Sequence, residues 1–202
     1  MGTPATIGVL ALQGAFARHV GAFEQLGADC VEVRRSAHLD VVDALVLPGG
    51  ESGTMSMLLD RAELFDPIAD RLAEGMPALG TCAGMILLGR EILDGRPDQR
   101  CFEAIDIVTR RNAYGRQLDS FEIALDLSSM GAGFDTPFDA SFIRAPAVEK
   151  VGDDVDVLAR VDDRPVLCSS GPVMVAAFHP ELPGADGTSD LRIHRYFLEE
   201  VT

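Results

Sequence analysis

The chain is poor in positive charge. Its 202 residues hold 17 lysines and arginines against 32 aspartates and glutamates, a formal net charge of −15. Such a surface repels phosphate backbones and anionic lipid, so neither nucleic acid nor a membrane is expected as a partner. Cysteine is sparse as well. Cys30, Cys82, Cys101 and Cys168 lie far apart and form no C-x-x-C pair. Neither a metal site nor a disulfide framework is therefore expected, and a reducing, cytoplasmic setting fits. No apolar run approaches the ~20 residues that span a bilayer. The start lacks the basic stretch and apolar core of a secretion signal. No Lys-bearing phosphate loop is found, which disfavours a nucleotide, and no cofactor is expected. No linker, repeat or low-complexity tract divides the chain. With 47% hydrophobic residues, it reads as one globular domain over 1–202 with a full core.

What is present centres on Gly80-Thr81-Cys82-Ala83-Gly84. Met76-Pro77-Ala78-Leu79 before it reads as a buried strand, and the apolar run Met85–Leu93 after it as a helix packed on a sheet. A cysteine with glycine at minus two and plus two, between a strand and a helix, has the form of a nucleophile elbow. The sharp turn strains the nucleophile's backbone, and small neighbours let the chain close tightly around it. A helix beginning at the cysteine aims free N–H groups at the sulfur and favours thiolate. On these five residues alone, a buried structural cysteine in a tight turn fits equally well.

Around the elbow the pattern is that of an α/β protein. Ile7–Leu12 reads as a first strand, and Phe16, Val20, Phe23 and Leu26 recur at helical spacing until Gly27. Cys30–Val33 is a second strand and Val41–Leu47 holds a third. The β-α-β opening points to a parallel sheet with helices on its faces. Helical periodicity runs from Met55 through Leu58, Leu59, Leu64 and Ile68 to Leu72. Pro48-Gly49-Gly50-Glu51-Ser52-Gly53-Thr54 joins the third strand to that helix. Ser52 or Thr54 is the expected N-cap. The glycines expose backbone N–H groups at the carboxyl edge of the sheet, where ligands bind in such folds. The second half holds short strands near Ile105–Val108, Phe121–Leu125, Phe142–Arg144, Val155–Ala159, Pro165–Cys168 and Val173–Phe178, expected as antiparallel additions to the sheet. A closing helix carries Leu191, His194, Tyr196, Phe197 and Val201.

A cysteine nucleophile needs a base, and the base needs an orienting group. Of four histidines, His19, His38 and His194 stand in no motif and read as surface or helix-flank residues. His179 follows a strand and precedes Pro180-Glu181. Proline keeps a helix from starting there, and Glu181 lies near enough to hold the imidazole tautomer. Alone, His-Pro-Glu fits a solvated turn. Paired with an elbow cysteine about a hundred residues upstream, it completes a Cys82–His179–Glu181 triad.

Together, Gly80–Gly84 and Phe178–Glu181 resemble the pattern of the class I glutamine amidotransferases. Further runs resemble the glutaminase subunits of pyridoxal 5′-phosphate synthase. These are Gly8–Gly14, Leu47–Ser52, Arg111–Gln117, Phe142–Pro146 and Phe178–Leu182, spread over most of the chain. The chain departs at Gly53, where that subfamily usually has threonine, and at Arg100–Ala104. The resemblance implies a three-layer α/β sandwich with a central, mostly parallel sheet and added antiparallel strands. It implies hydrolysis of L-glutamine to glutamate and ammonia through a Cys82 thioester, with His179 as acid–base and Glu181 as its orienter. The N–H groups of Gly50 and Ala83 would form the oxyanion hole. Gly50, Glu51, Ser52, Arg111, Ile143 and Arg144 would hold the substrate. The implied partner is a (β/α)₈-barrel synthase subunit that takes the ammonia, with weak activity in its absence. Gln13-Gly14 would adjust the oxyanion region when that partner docks. Three other readings stand beside this one. They are the glutaminase subunit of another amidotransferase, such as imidazole glycerol phosphate synthase, a stand-alone cysteine amidohydrolase, and a non-catalytic subunit.

Overall fold

A computed structural model describes residues 5–111, 120–184 and 187–200. Apolar runs too short for helices become buried strands. β1 (Thr6–Leu10), β2 (Asp29–Val33), β3 (Ala44–Leu47), β4 (Ala78–Thr81) and β12 (Val173–Ala176) run parallel, and β3, β4 and β12 are buried at every residue. β10 (Asp156–Val161) and β11 (Arg164–Ser170) extend the sheet antiparallel beyond β12, in the order β10-β11-β12-β4-β3-β1-β2. The segments after β1, β3, β4 and β12 therefore meet at one carboxyl edge.

The other strands correct the expectation that all antiparallel strands join this sheet. β5 (Gly89–Ile92), β6 (Ile105–Arg110) and β9 (Ala147–Val151) form a three-stranded sheet, and β7 (Ser120–Leu125) pairs with β8 (Phe138–Ile143) in a two-stranded one. The last strand expected among those additions, β12, runs parallel to β4. Burial explains the error. β12 is flanked by strands on both sides, and a fully buried run carries no alternation from which direction could be read.

Of the helices, α1 (Phe16–Gln25) packs on β1, β2 and α5 (Arg192–Glu200), while α2 (Ser52–Arg61) packs on α3 (Phe65–Ala73) and α4 (Ala83–Leu88). Three boundaries differ from expectation. The third strand starts only at Ala44, because Val41 lies exposed at the end of a 3₁₀ turn, Ser36–Val41. The periodicity from Met55 to Leu72 is two helices, broken where Glu63 takes a left-handed φ of 54°. The helix after the elbow ends at Leu88, and the chain turns at Gly89 into β5, which pairs with β6. An apolar run suits a buried helix and a buried strand alike, so Met85–Leu93 concealed the switch. The departing segment Arg100–Ala104 is tied to α2 and α3. Arg100 pairs with Asp60 at 3.0 Å and Asp66 at 2.6 Å, and lies 3.7 Å over the Phe65 ring. Val201 and residues 112–117 of the Arg-Asn…Gly-Arg-Gln run lie outside the described residues.

Candidate active site

The elbow is built by close approach. A Cβ on Gly84 would overlap the Leu47 carbonyl oxygen of β3, and one on Gly80 would come within 2.7 Å of the Gly84 backbone. Only glycine lets β4, the turn and α4 pack at this spacing. Cys82 itself carries φ 49° and ψ −102°, a conformation that L-residues rarely adopt. Its N–H donates to the Ala176 carbonyl of β12 at 2.8 Å, which locks the turn to the neighbouring strand. Strain of this kind costs on the order of 1–3 kcal/mol and persists where the surroundings over-determine it.

His179 arrives three residues after β12, and its N–H donates to the Ser141 carbonyl of β8 at 2.9 Å. Its ring lies against Gly49 in the loop after β3, and His179 Nδ1 is 2.7 Å from Glu181 Oε1. Cys82, His179 and Glu181 are all nearly inaccessible, at 7%, 9% and 3% exposure. Burial alone would push the His179 pKa down. Hydrogen bonds with Cys82 and Glu181, and their charges, outweigh it and raise the ring to about 10. Burial likewise works to raise Glu181, but the hydrogen bond from His179 and the nearby His19 hold its carboxyl below the usual range. A protonated imidazole between a sulfur and a buried carboxylate can stabilise a thiolate and later donate to a leaving amine.

A cleft of about 270 Å³ opens above these residues, suited to a small molecule such as one amino acid. It brings together Gly50, Glu51, Ser52, Cys82, Ala83, Arg111, Ile143, Arg144 and His179 from five separated stretches of chain, with Gln13, Ile86 and Pro146 completing it. Glu181 lies beneath, behind His179. Arg144 shares the backbone strain of Cys82, with φ 44°, so two strained residues face one cavity. The Ile143 carbonyl lies 4.0 Å from Cys82 Sγ. Gln13 Oε1 accepts from the Glu51 N–H at 3.3 Å, so the loop after β1 holds the Gly50-Glu51 peptide.

Glu51 is the N-cap of α2, in place of Ser52 or Thr54. Its carboxylate accepts from the N–H groups of Gly53 (3.0 Å) and Thr54 (2.6 Å), and from the Thr54 hydroxyl. Its chain is long enough to reach back over the first turn, and this frees Ser52 to face the cavity. Arg111 donates to Glu51 Oε1 at 3.3 Å and to the Asp94 carbonyl at 2.9 Å. Ser52 Oγ and Arg111 Nε are buried without a hydrogen-bond partner among the described residues, which leaves donors for a polar ligand.

His19 and His194 overturn their reading as surface residues, since both are fully buried. The signal was in the spacing. His19 falls between Phe16 and Phe23 on the apolar face of α1, and His194 between Leu191 and Phe197 on that of α5. Among the described residues no helix is long and apolar enough to cross a membrane.

A family model described as the SNO glutamine amidotransferase family matches residues 9–202. A protein of Frankia alni described as pyridoxal 5′-phosphate synthase subunit PdxT is 51% identical over 195 residues, covering 96% of this chain and 94% of the relative. One of Mycobacteroides abscessus with the same description is 52% identical over 195 residues, covering 96% of each chain. A crystal structure described as glutamine amidotransferase superposes with a TM-score of 0.86 at 43% identity, covering 96% of this chain and 98% of that one.

Proposed function

This chain belongs to the SNO glutamine amidotransferase family, and from that premise we propose that it hydrolyses L-glutamine and passes the ammonia to a pyridoxal 5′-phosphate synthase subunit. The observation that carries the reading is the alignment of Cys82 and His179 in the cleft with Glu181 behind His179. Cys82 attacks the side-chain amide carbon with its proton held on His179, which then protonates the departing ammonia. Glu181 stabilises the imidazolium. The Ala83 N–H, at the first turn of α4 where helix donors lack intrahelical partners, and the Gly50 N–H bind the oxyanion. Water hydrolyses the γ-glutamyl thioester and frees glutamate. Arg144 and Arg111 suit the substrate carboxylate, and Ser52 its remaining polar atoms. Four thiols, none in a disulfide, support a cytoplasmic setting.

The test is glutamate release measured with and without a cognate barrel synthase. The expected result is weak turnover alone and a clear rise on titration. Full activity in isolation would instead favour a stand-alone amidohydrolase. The names of the relatives weigh against the imidazole glycerol phosphate synthase reading. Gly49 supplies a second test. A Cβ there would overlap His179 Cε1, so Gly49→Ala is expected to lower kcat/KM about 100-fold, the cost of roughly 1 Å of misplacement in a reacting group. Steady-state kinetics that leave kcat/KM unchanged would argue that His179 takes no part.

A further inference from the structure

Behind the proposed triad lies a buried polar chain that the chemistry above does not use. Glu181 has two carboxylate oxygens, and His179 takes only Oε1. The other, Oε2, is 3.4 Å from His19 Nε2 on α1, a charge contact rather than an aligned hydrogen bond, and it has no hydrogen-bond partner among the described residues. The same His19 nitrogen is 3.2 Å from Thr81 Oγ1, the residue before Cys82. On the far side of the ring, His19 Nδ1 is 3.0 Å from His194 Nε2 on α5. His194 packs against the rings of His19 and Phe23, and its Nδ1 has no hydrogen-bond partner among the described residues.

One placement of protons suits all these contacts. A bare ring nitrogen 3.4 Å from an ionised carboxylate would repel it, so His19 Nε2 must carry the hydrogen. His19 Nδ1 is then a bare acceptor, and His194 Nε2 must donate to it. His194 Nδ1 is left as an unpaired acceptor rather than a stranded N–H group. Both rings are neutral in this arrangement, as full burial requires. Without His19, Glu181 Oε2 would lose the N–H dipole that lies beside it, and the carboxylate would be free to turn away from His179.

We propose that His19 is a positioning residue, whose Nε2–H dipole beside the second oxygen of Glu181 keeps the first aligned with His179, and that His194 sets its tautomer. The inference rests on the triad reading given above. The shared contact with Thr81 adds a tie to β4, so the elbow strand and the acid that orients the base are held by one ring.

The experiment compares wild type, His19→Met and His19→Gln with the synthase subunit present. A glutamine amide nitrogen can reach where His19 Nε2 stands, and methionine fills the space without a donor. The expected result is a fall in kcat of about 10- to 100-fold for His19→Met at nearly unchanged KM, with most of it restored in His19→Gln, as for other groups that orient a functional side chain from behind. Two active variants, or two equally impaired ones, would overturn the proposal. Nitrogen NMR of histidine-labelled wild type gives a readout independent of any variant. The Nε2–H tautomer is expected for His19, and the Nδ1–H tautomer there would refute the favourable contact with Glu181. Should His19→Met not fold, that spectrum decides. An active Cys82→Ala, by contrast, would sink the triad while leaving the tautomer of His19 as found.

Discussion

Replacing Cys82 by alanine is expected to cut glutamate release by at least about 10³-fold, the scale of losing a nucleophile from a coupled triad. The fold should survive, because alanine fills the same turn and Cys82 lends its side chain to no described core contact beyond the cleft. The elbow's strain adds a second readout. Cys82 holds φ 49° with a Cβ attached, whereas glycine takes that conformation freely. Cys82→Gly is therefore expected to be as inactive as Cys82→Ala yet more stable than it by about 1 kcal/mol, strain relief exceeding the entropy that glycine loses on folding. Kinetics and urea unfolding on the two variants check both halves. A cysteine kept only for packing would produce the opposite pattern, with stability lost and turnover retained. The expected pattern would instead mean that the site exchanges stability for a sulfur held at a sharp turn beside the cleft, as other functional sites do.

The second large effect is on stability in acid. Burial holds the His194 ring down at about 3, against about 6.5 in an unfolded chain. Above that value neither state binds a proton there, and stability is unaffected. Below it the unfolded chain takes up a proton that the folded chain refuses. Stability then falls by about 1.4 kcal/mol per pH unit, reaching about 5 kcal/mol by pH 3. His19 is lowered in the same direction, chiefly by burial and further by the charge of His179, with Glu181 opposing. Glu181, held below its ordinary range, adds a loss as pH falls through the carboxylate range. His179 has the opposite sign. Raised to about 10, it contributes fully below its unfolded value of about 6.5, and that contribution disappears as pH climbs towards 10. The cluster is thus most stabilising near neutrality. Urea unfolding between pH 7 and 4 should show a steep acid limb, less steep by about one proton in His194→Leu. Equal slopes in the two proteins would mean that His194 is not kept neutral by the fold.

Much of the site was legible without coordinates. Glycines at minus two and plus two of a cysteine mark a tight turn, and His-Pro-Glu brings a base and its orienter within two residues, so the two motifs, ambiguous singly, pointed together to Cys82, His179 and Glu181. The β-α-β opening likewise carried the parallel sheet and hence the edge at which its loops converge. Other features depend on distance in space rather than on spacing. Whether Glu51 or Ser52 caps α2 turns on how far a side chain can reach. The switch from α4 to β5 within one apolar run turns on pairing with β6, which lies beyond the elbow in the chain. The direction of β12 is set by its neighbour β4, about a hundred residues away. His19 and His194 are the sharpest case. Their helical spacing placed them on apolar faces, but only packing α1 against α5 beneath β4 brings them to Glu181. A residue's neighbours along the chain determine which face it occupies. What that face meets is decided by burial of the whole core, which turned two isolated histidines into a chain that ends on the carboxylate behind the base.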